Sequence, residues 1–261
     1  MENNLFPTIG KVLTEESNID ILSELTWALV NIAYFEAENG GNLYMKGFMN
    51  KTYMDIFYKI VKMNDNETLF NLYQFFINCI IESDDFAKFI LDDKEFMRLC
   101  VMRYREQNKP VKLEQETKKA TIYFFVSLSK LSNNFNEKQK NTFYKIYENF
   151  LGIKLDSDVP THIIVGIRFL FICDQSEEKT VFNIIKKNNY DIFDKLFIPF
   201  TNIYKEDNSF PGLDILVYNI KMIICHFIQL SEEKDVVFLV QNTQLINFII
   251  HYFEVLFFIK T

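Results

Sequence analysis

Apolar residues recur at helical spacing along almost the whole chain. In YMDIFYKIV (53–61), Tyr53, Ile56, Phe57, Ile60 and Val61 fall on one helical face. In LFNLYQFFINCI (69–80), Leu69, Leu72, Tyr73, Phe76 and Ile80 do the same. Polar clusters punctuate these stripes: EESN at 15, NDNE at 64, ESDD at 82, SNN at 132, KLDSD at 154, DQSEE at 174 and LSEEKD at 230. Such side chains accept hydrogen bonds from the free N–H groups of a first helical turn and suit its positive end, so each cluster predicts a helix start. Asp84 and Asp85 read as capping residues on this ground, and Lys118 and Lys119 as the start of a helix.

A longer period lies over the helical one. FILDDKEFMRLCV at 89, FLVQNTQLINFII at 238, FNIIKKNNYDIFDKLF at 182 and KGFMNKTYMDIFYKIV at 46 share a plan: short helix, sharp polar turn, second helix. Asn or Asp in the turn tolerates left-handed backbone, which is the geometry expected there. A longer, densely apolar helix follows each unit. The position of Asn31 recurs at Asn78, Ser127, Phe171 and His226, at intervals of 47, 49, 44 and 55. That is the period of a stacked two- or three-helix unit. The expected fold is all-α, a right-handed, curved solenoid of about five three-helix repeats of armadillo or HEAT type. It fills one domain, 1–261, with approximate repeats at 1–37, 38–84, 85–132, 133–176 and 177–231 and a partial repeat at 232–261. The polar stretches 104–119 and 204–212 read as insertions.

Composition narrows the picture. With 49% hydrophobic residues and 28 Phe there is ample material for a core, while 7 Gly and 5 Pro are too few for a turn-rich β fold or long linkers. A net charge of −7 argues against direct nucleic-acid binding, which rewards clustered Lys and Arg. Cys79, Cys100, Cys173 and Cys225 lie in apolar helical patterns without paired spacing and are joined only by His162, His226 and His251, so no metal site is expected. Buried, reduced thiols are expected, in a cytoplasmic or nuclear protein. The opening MENNLFPTIG lacks a basic stretch followed by an apolar one, and no run is long enough to span a membrane. No phosphate loop, nucleophile elbow or HExxH motif occurs, so neither an enzyme nor a cofactor is expected.

One short segment points to recognition. SELTWALVNIA (23–33) holds the only tryptophan, and Asn31 stands one helical turn from Trp27. A lone aromatic on a helix more often fills an interior; the carboxamide beside it favours a surface. This segment, within LFPTIGKVLTEESNIDILSELTWALVNIA (5–33), resembles the second repeat of the importin-alpha family of nuclear-import adaptors, whose groove signature reads Trp-Ala-Leu-x-Asn-Ile-Ala. NDNETLFNLYQFFINCIIES (64–83) is similar to the third repeat, with Asn78 matching the family's Asn, Gln74 in place of Trp and Glu82 at an acidic position. ATIYFFVSLSKL (120–131) is similar to the fourth, with Tyr123 for Trp and Ser127 for Asn. GIRFLFICDQS (166–176) resembles the fifth and the helix at 215–230 the sixth. The family's basic N-terminal receptor-binding segment has no match here.

The resemblance implies a concave groove in which Trp rings stack on lysine stems of an extended basic segment, Asn side chains hold its backbone and carboxylates meet its ammonium groups. The implied peptide-binding residues are Trp27, Asn31, Gln74, Asn78, Glu82, Tyr123 and Ser127, serving nuclear import of proteins. The alternative is a scaffold subunit built into a larger complex with import activity lost. His226, at a groove position, reads as structural. The helix 245–259 carries apolar residues on more than one face (Leu245, Ile246, Phe248, Ile249, Ile250, Phe253, Leu256, Phe257 and Ile259), where a solenoid end needs a polar cap, so it is expected to contact a protein partner.

Overall fold

The computed structural model describes residues 5–38, 45–63, 65–105, 114–151, 158–172, 179–197 and 213–258. Every regular element among them is a helix. They form two compact units, 1–128 and 129–261.

The first unit contains α1 (Leu5–Glu15), α2 (Ile19–Glu38), α3 (Met45–Phe48), α4 (Lys51–Lys62), α5 (Asn66–Glu82), α6 (Asp84–Asp92), α7 (Lys94–Arg105) and α8 (Gln115–Leu128). The polar clusters start helices as their chemistry requires. Asn18 Oδ1 accepts from Asp20 N at 2.9 Å, Asp65 Oδ2 from Thr68 N at 2.7 Å and Asp93 Oδ1 from Phe96 N at 2.9 Å. Ser83 ends α5 and caps α6, accepting from Phe86 N at 3.2 Å. Asp84 and Asp85 occupy the first turn of α6 and leave the cap itself to Ser83.

The expected apolar faces are the core. Tyr53, Ile56, Phe57, Ile60 and Val61 of α4 and Leu69, Leu72, Tyr73, Phe76 and Ile80 of α5 are all buried. Phe76 sits among the rings of Phe57, Phe75, Phe86, Phe96 and Phe124, with centroids 4.9–6.1 Å away. Burying a side chain of this size contributes roughly 1.5–3 kcal/mol before the entropy of ordering it. These rings back the layer formed by α2, α5 and α8, in which α5 lies between the other two.

The register of that layer comes from polar ties about one period apart. Asn71 Nδ2 donates to Ser23 O at 3.4 Å and Asn78 Nδ2 to Val30 O at 3.5 Å, so α5 runs parallel to α2 with an offset of 48 residues. Thr117 Oγ1 donates to Asn66 O at 3.2 Å, offset 51, and Tyr73 and Phe76 both meet the Phe124 ring. Behind the layer, Tyr53 Oη donates to Phe6 O at 2.8 Å, and Lys59 Nζ to the Leu13, Thr14 and Glu16 carbonyls at the C-terminal end of α1. A cation there offsets the negative end of the helix dipole.

The second unit opens with a 3₁₀ turn (Ser129–Asn134), followed by α9 (Glu137–Leu151), α10 (Asp158–Ile172), α11 (Thr180–Lys187), a helix at 191–197 (α12), α13 (Leu213–Leu230), α14 (Glu233–Asn242) and α15 (Leu245–Phe258). Asn136 and Gln139 form a reciprocal capping box ahead of α9. Ties of similar span recur: Arg168 to Asn219 (51 apart), Lys186 to Asp235 (49) and Gln244 N to Asp194 Oδ1 (50). Gly166 lets α10 close on α9, since a Cβ there would stand 2.5 Å from Cζ of the buried Tyr147 ring.

Several expectations need correction. Of the four predicted turns, only that at 188–190 uses left-handed backbone, at Asn189 (φ 52°) and Tyr190 (φ 64°); Lys179, which precedes α11, is left-handed as well (φ 43°). The breaks at Asn50 and Thr243 are extended, and Asp93 has φ −85°. At each of these three breaks a side-chain oxygen accepts from a backbone N–H opening the next helix, so no left-handed step is needed. Part of the polar stretch 104–119 is helical, because α8 begins at Gln115. Cys79 and Cys100 are buried thiols, but Cys225 is exposed: its helix buries Ile220, Ile223 and Phe227 and leaves position 225 outside that stripe. Cys173, KLDSD, DQSEE and 204–212 lie wholly or largely outside the described residues.

Candidate functional site

The outer face of the α2–α5–α8 layer carries all seven residues singled out by the sequence. On α2, the buried stripe Leu22, Thr26, Leu29 and Ala33 leaves the opposite face to Glu24, Trp27, Asn31 and Tyr34. The Trp27 indole is 55% exposed. Asn31 is exposed, and its Nδ2 donates to Trp27 O at 3.2 Å, holding the carboxamide against the turn below. On α5, Gln74 and Asn78 are half-buried and Glu82 is exposed; on α8, Tyr123 and Ser127 are half-buried.

Parallel helices with offsets near 48 turn these positions into rows. Trp27, Gln74 and Tyr123 stand 47 and 49 residues apart, and so do Asn31, Asn78 and Ser127. The bond from Asn78 to Val30 O sets the second row directly, because Val30 precedes Asn31. The first row holds one indole, one amide and one phenol; the second holds two carboxamides and a hydroxyl. A carboxamide offers both donors and acceptors, which suits a peptide backbone with unpaired groups. An indole face suits a cation or the aliphatic stem beneath it.

Charge is unevenly spread over this face. Glu24, Glu67 and Glu82 are exposed carboxylates on α2 and α5. α8 instead carries Lys118 and Lys119, the latter paired with Glu116 at 3.1 Å. An open cleft of about 610 Å³ lies at the N-terminal ends of α5 and α8, lined by Asp65, Asn66, Glu67, Phe70, Glu114, Glu116 and Thr117. Phe70 is one turn before Gln74, so the cleft continues the α5 strip into an acidic end.

Two residues of this face escaped the sequence reading. Tyr34 is 55% and Phe35 62% exposed. Tyr34 lies two turns beyond Trp27 on the same face, a spacing visible in WALVNIAY had the strip been followed past the carboxamide.

The second unit departs from the expected row. Phe171 is fully buried, and the surface of α10 falls to Val165, Arg168 and Phe169. Arg168 Nη1 donates to Asn219 Oδ1 at 3.0 Å, and its guanidinium lies 5.0 Å from the Tyr218 ring centroid. That 51-residue offset aligns Phe171 with Met222 and not with His226. His226 is half-buried, with its Nε2 enclosed and lacking a hydrogen-bond partner among the described residues.

Among the described residues no His, Cys, Asp and Glu groups come together in a way that would hold a metal ion, and no helix is long and apolar enough to cross a membrane. The chain matches no protein-family model, and no curated protein matches it.

Proposed function

We propose that the chain is an armadillo-type repeat array of importin-alpha-like design, which binds an extended, basic segment of another protein along the α2–α5–α8 face. The observation that carries this reading is the exposure of Trp27, the single tryptophan, with Asn31 one turn away and Asn78 in register on the next helix. A near-constant offset within each unit supports a repeat architecture, since stacked repeats tie each residue to its counterpart one period on.

In this reading the indole of Trp27 covers the stem of a lysine or arginine. Asn31 and Asn78 take the backbone of the bound segment, Asn31 exchanging its bond to Trp27 O for one to the ligand. Neighbouring helices stand about 8–10 Å apart. An extended chain advances about 3.3 Å per residue, so the two carboxamides meet backbone groups roughly three residues apart. Glu24, Glu67 and Glu82 meet the cations. A cation over an indole contributes about 0.5–2 kcal/mol, and each backbone bond about 0.5–1.5 kcal/mol. The reaction class is binding without turnover, and the matching location is cytoplasm and nucleus, in transport of proteins into the nucleus.

The test is titration of a fluorescent Lys/Arg-rich peptide against the full chain at several salt concentrations. The reading expects affinity that falls with salt and is weakened about 2- to 30-fold by Trp27→Ala. Equal affinity of that variant, or indifference to salt, rules it out.

The apolar face of α15 favours a second reading, a scaffold subunit held in a larger complex. A scaffold keeps its partners through high-salt purification, whereas a charge-driven adaptor loses its cargo.

A further inference from the structure

We propose that the α10–α13 face of the second unit docks an acidic, partly apolar segment of a partner protein, whose carboxylates are met by Arg168 and Lys221 on either side of Tyr218. Nothing in it depends on the α2–α5–α8 face.

The cation at the centre is held in place. Arg168 is half-buried on α10, its guanidinium 5.0 Å from the Tyr218 ring centroid, with Nη1 donating to Asn219 Oδ1 at 3.0 Å. Asn219 is fixed in turn, since its Nδ2 donates to Ile215 O at 2.7 Å. The bond to Asn219 takes one N–H of the guanidinium. Nε is enclosed without an acceptor, and no carboxylate among the described residues pairs with the group. A guanidinium cannot shed its proton, so this charge has to be met from outside the described structure.

The surroundings select the partner. Positions 163–172 of α10 and 215–230 of α13 contain no Asp or Glu, although the chain carries 35 of them against 28 Lys and Arg. Lys221 is exposed and makes no ion pair or hydrogen bond with the described residues. At about 100° per residue, Asn219 and Lys221 flank Tyr218 on opposite sides, so the phenol lies between two cations. Ile215 is 52% and Tyr218 51% exposed, and Met222 and Cys225 continue the same side of α13. A phosphodiester chain rewards a dense row of cations, which this face lacks. Tyrosine and arginine beside aliphatic surface are instead the residues that carry protein–protein contacts. Charge complementarity then makes the incoming segment acidic, the reverse of the one assigned to the first unit.

The experiment is a chemical footprint at Cys225, which lies two turns, about 10 Å, beyond Tyr218. In the full chain carrying Cys173→Ser, a neutral maleimide reaches exposed Cys225, while Cys79 and Cys100 are buried. The probe is a peptide of about ten residues alternating Glu and Leu, long enough to cover the strip when extended. Its controls are the Gln-for-Glu peptide and inorganic phosphate. At about ten times its half-protecting concentration, the acidic peptide should slow modification roughly 10-fold, and added salt should raise that concentration. Arg168→Gln keeps an N–H for Asn219 and should raise it about 10- to 100-fold. Lys221→Glu disturbs no bond within the described residues, so it keeps the test decisive if Arg168→Gln loosens the fold; it should raise the half-protecting concentration about 3- to 10-fold with circular dichroism unchanged. No protection up to about 1 mM peptide, equal protection by the Gln peptide, protection by inorganic phosphate alone, or undiminished protection of Lys221→Glu would each overturn the proposal. Emission of Trp27 reports the first unit separately, so either face can fail without the other.

Discussion

Asp235, at the start of α14, anchors the end of the second unit, and its removal should be costly in a pH-dependent way. It is 3% exposed and receives four hydrogen bonds or ion-pair contacts. Lys186 Nζ lies 2.9 and 3.1 Å from its two oxygens, Tyr190 Oη donates at 2.8 Å and Glu232 N at 3.1 Å. The last of these closes the capping box of α14. Asp235→Ala removes that box, worth about 1 kcal/mol, and an acceptor for the Tyr190 hydroxyl, worth about 1–3 kcal/mol. The Lys186 pair adds about 1 kcal/mol or less, since that side chain is 32% exposed and partly screened. A loss of about 3–4 kcal/mol is expected at pH 7. Asp235→Asn keeps one oxygen and the shape, so about 1–2 kcal/mol is expected.

Burial pushes the Asp235 carboxyl up, but the bonds from Lys186, Tyr190 and the Glu232 backbone prevail and hold it below 3.8. A depressed carboxylate stabilises the fold fully above its unfolded pKa, and that contribution disappears as pH falls through the folded value. The gap between the native chain and the Asn variant should therefore close below pH 3.8. Urea unfolding followed by circular dichroism between about pH 2.5 and 7 measures both effects. An Ala variant within about 0.5 kcal/mol of the parent at pH 7 would refute the anchoring role. A gap that does not narrow as pH falls below 3.8 would refute the electrostatic part of the reasoning.

Three further outcomes are expected. Gly166→Ala gains about 1 kcal/mol of helix propensity, yet its Cβ meets the buried Tyr147 ring, whose hydroxyl is tied to Ser129; overpacking of about 1–3 kcal/mol should win, and an unchanged or raised urea midpoint would contradict this. Phe76→Ala empties the centre of five rings and should cost about 3–5 kcal/mol, measured the same way. In a Cys173→Ser background, a disulfide reagent should titrate Cys225 at once and reach Cys79 and Cys100 only on unfolding, because both are buried and burial pushes the Cys100 thiol up to about 12; fast reaction of a second thiol in the native protein would contradict the packing.

The buried stripes of α4 and α5 were legible because a single helical face must supply the core, and ten of ten expected side chains lie there. The near-48-residue offset was legible for a related reason: helices that repeat a role in packing repeat its residue types. Turn geometry was harder to read. Asn50, Asp93 and Thr243 suit both a left-handed step and an extended cap, and only the direction of the next helix selects between them. The position of Phe171 was lost because each residue turns a helix by about 100°, so an unseen length change before α10 moves a core residue into an apparent surface row. Exposure of Cys225 and burial of Arg103 were also hidden, since neither follows from residue type. At the candidate site, the indole and carboxamide were visible as a pair, but Tyr34 and Phe35 lie past the end of the segment that carries the resemblance.

The central claim is that the Trp27 face receives another chain, and the protein carries its own probe for it. Trp27 is the only tryptophan and is 55% exposed, so the emission of the free protein should be that of a solvated indole. Titration with an extended Lys/Arg-rich peptide should shift that emission to the blue and saturate, with Asn31→Ala and Asn78→Ala each weakening the apparent affinity by about 3- to 10-fold. An emission spectrum that is already blue-shifted in the free protein, or one that stays unchanged while the peptide binds, would contradict the account.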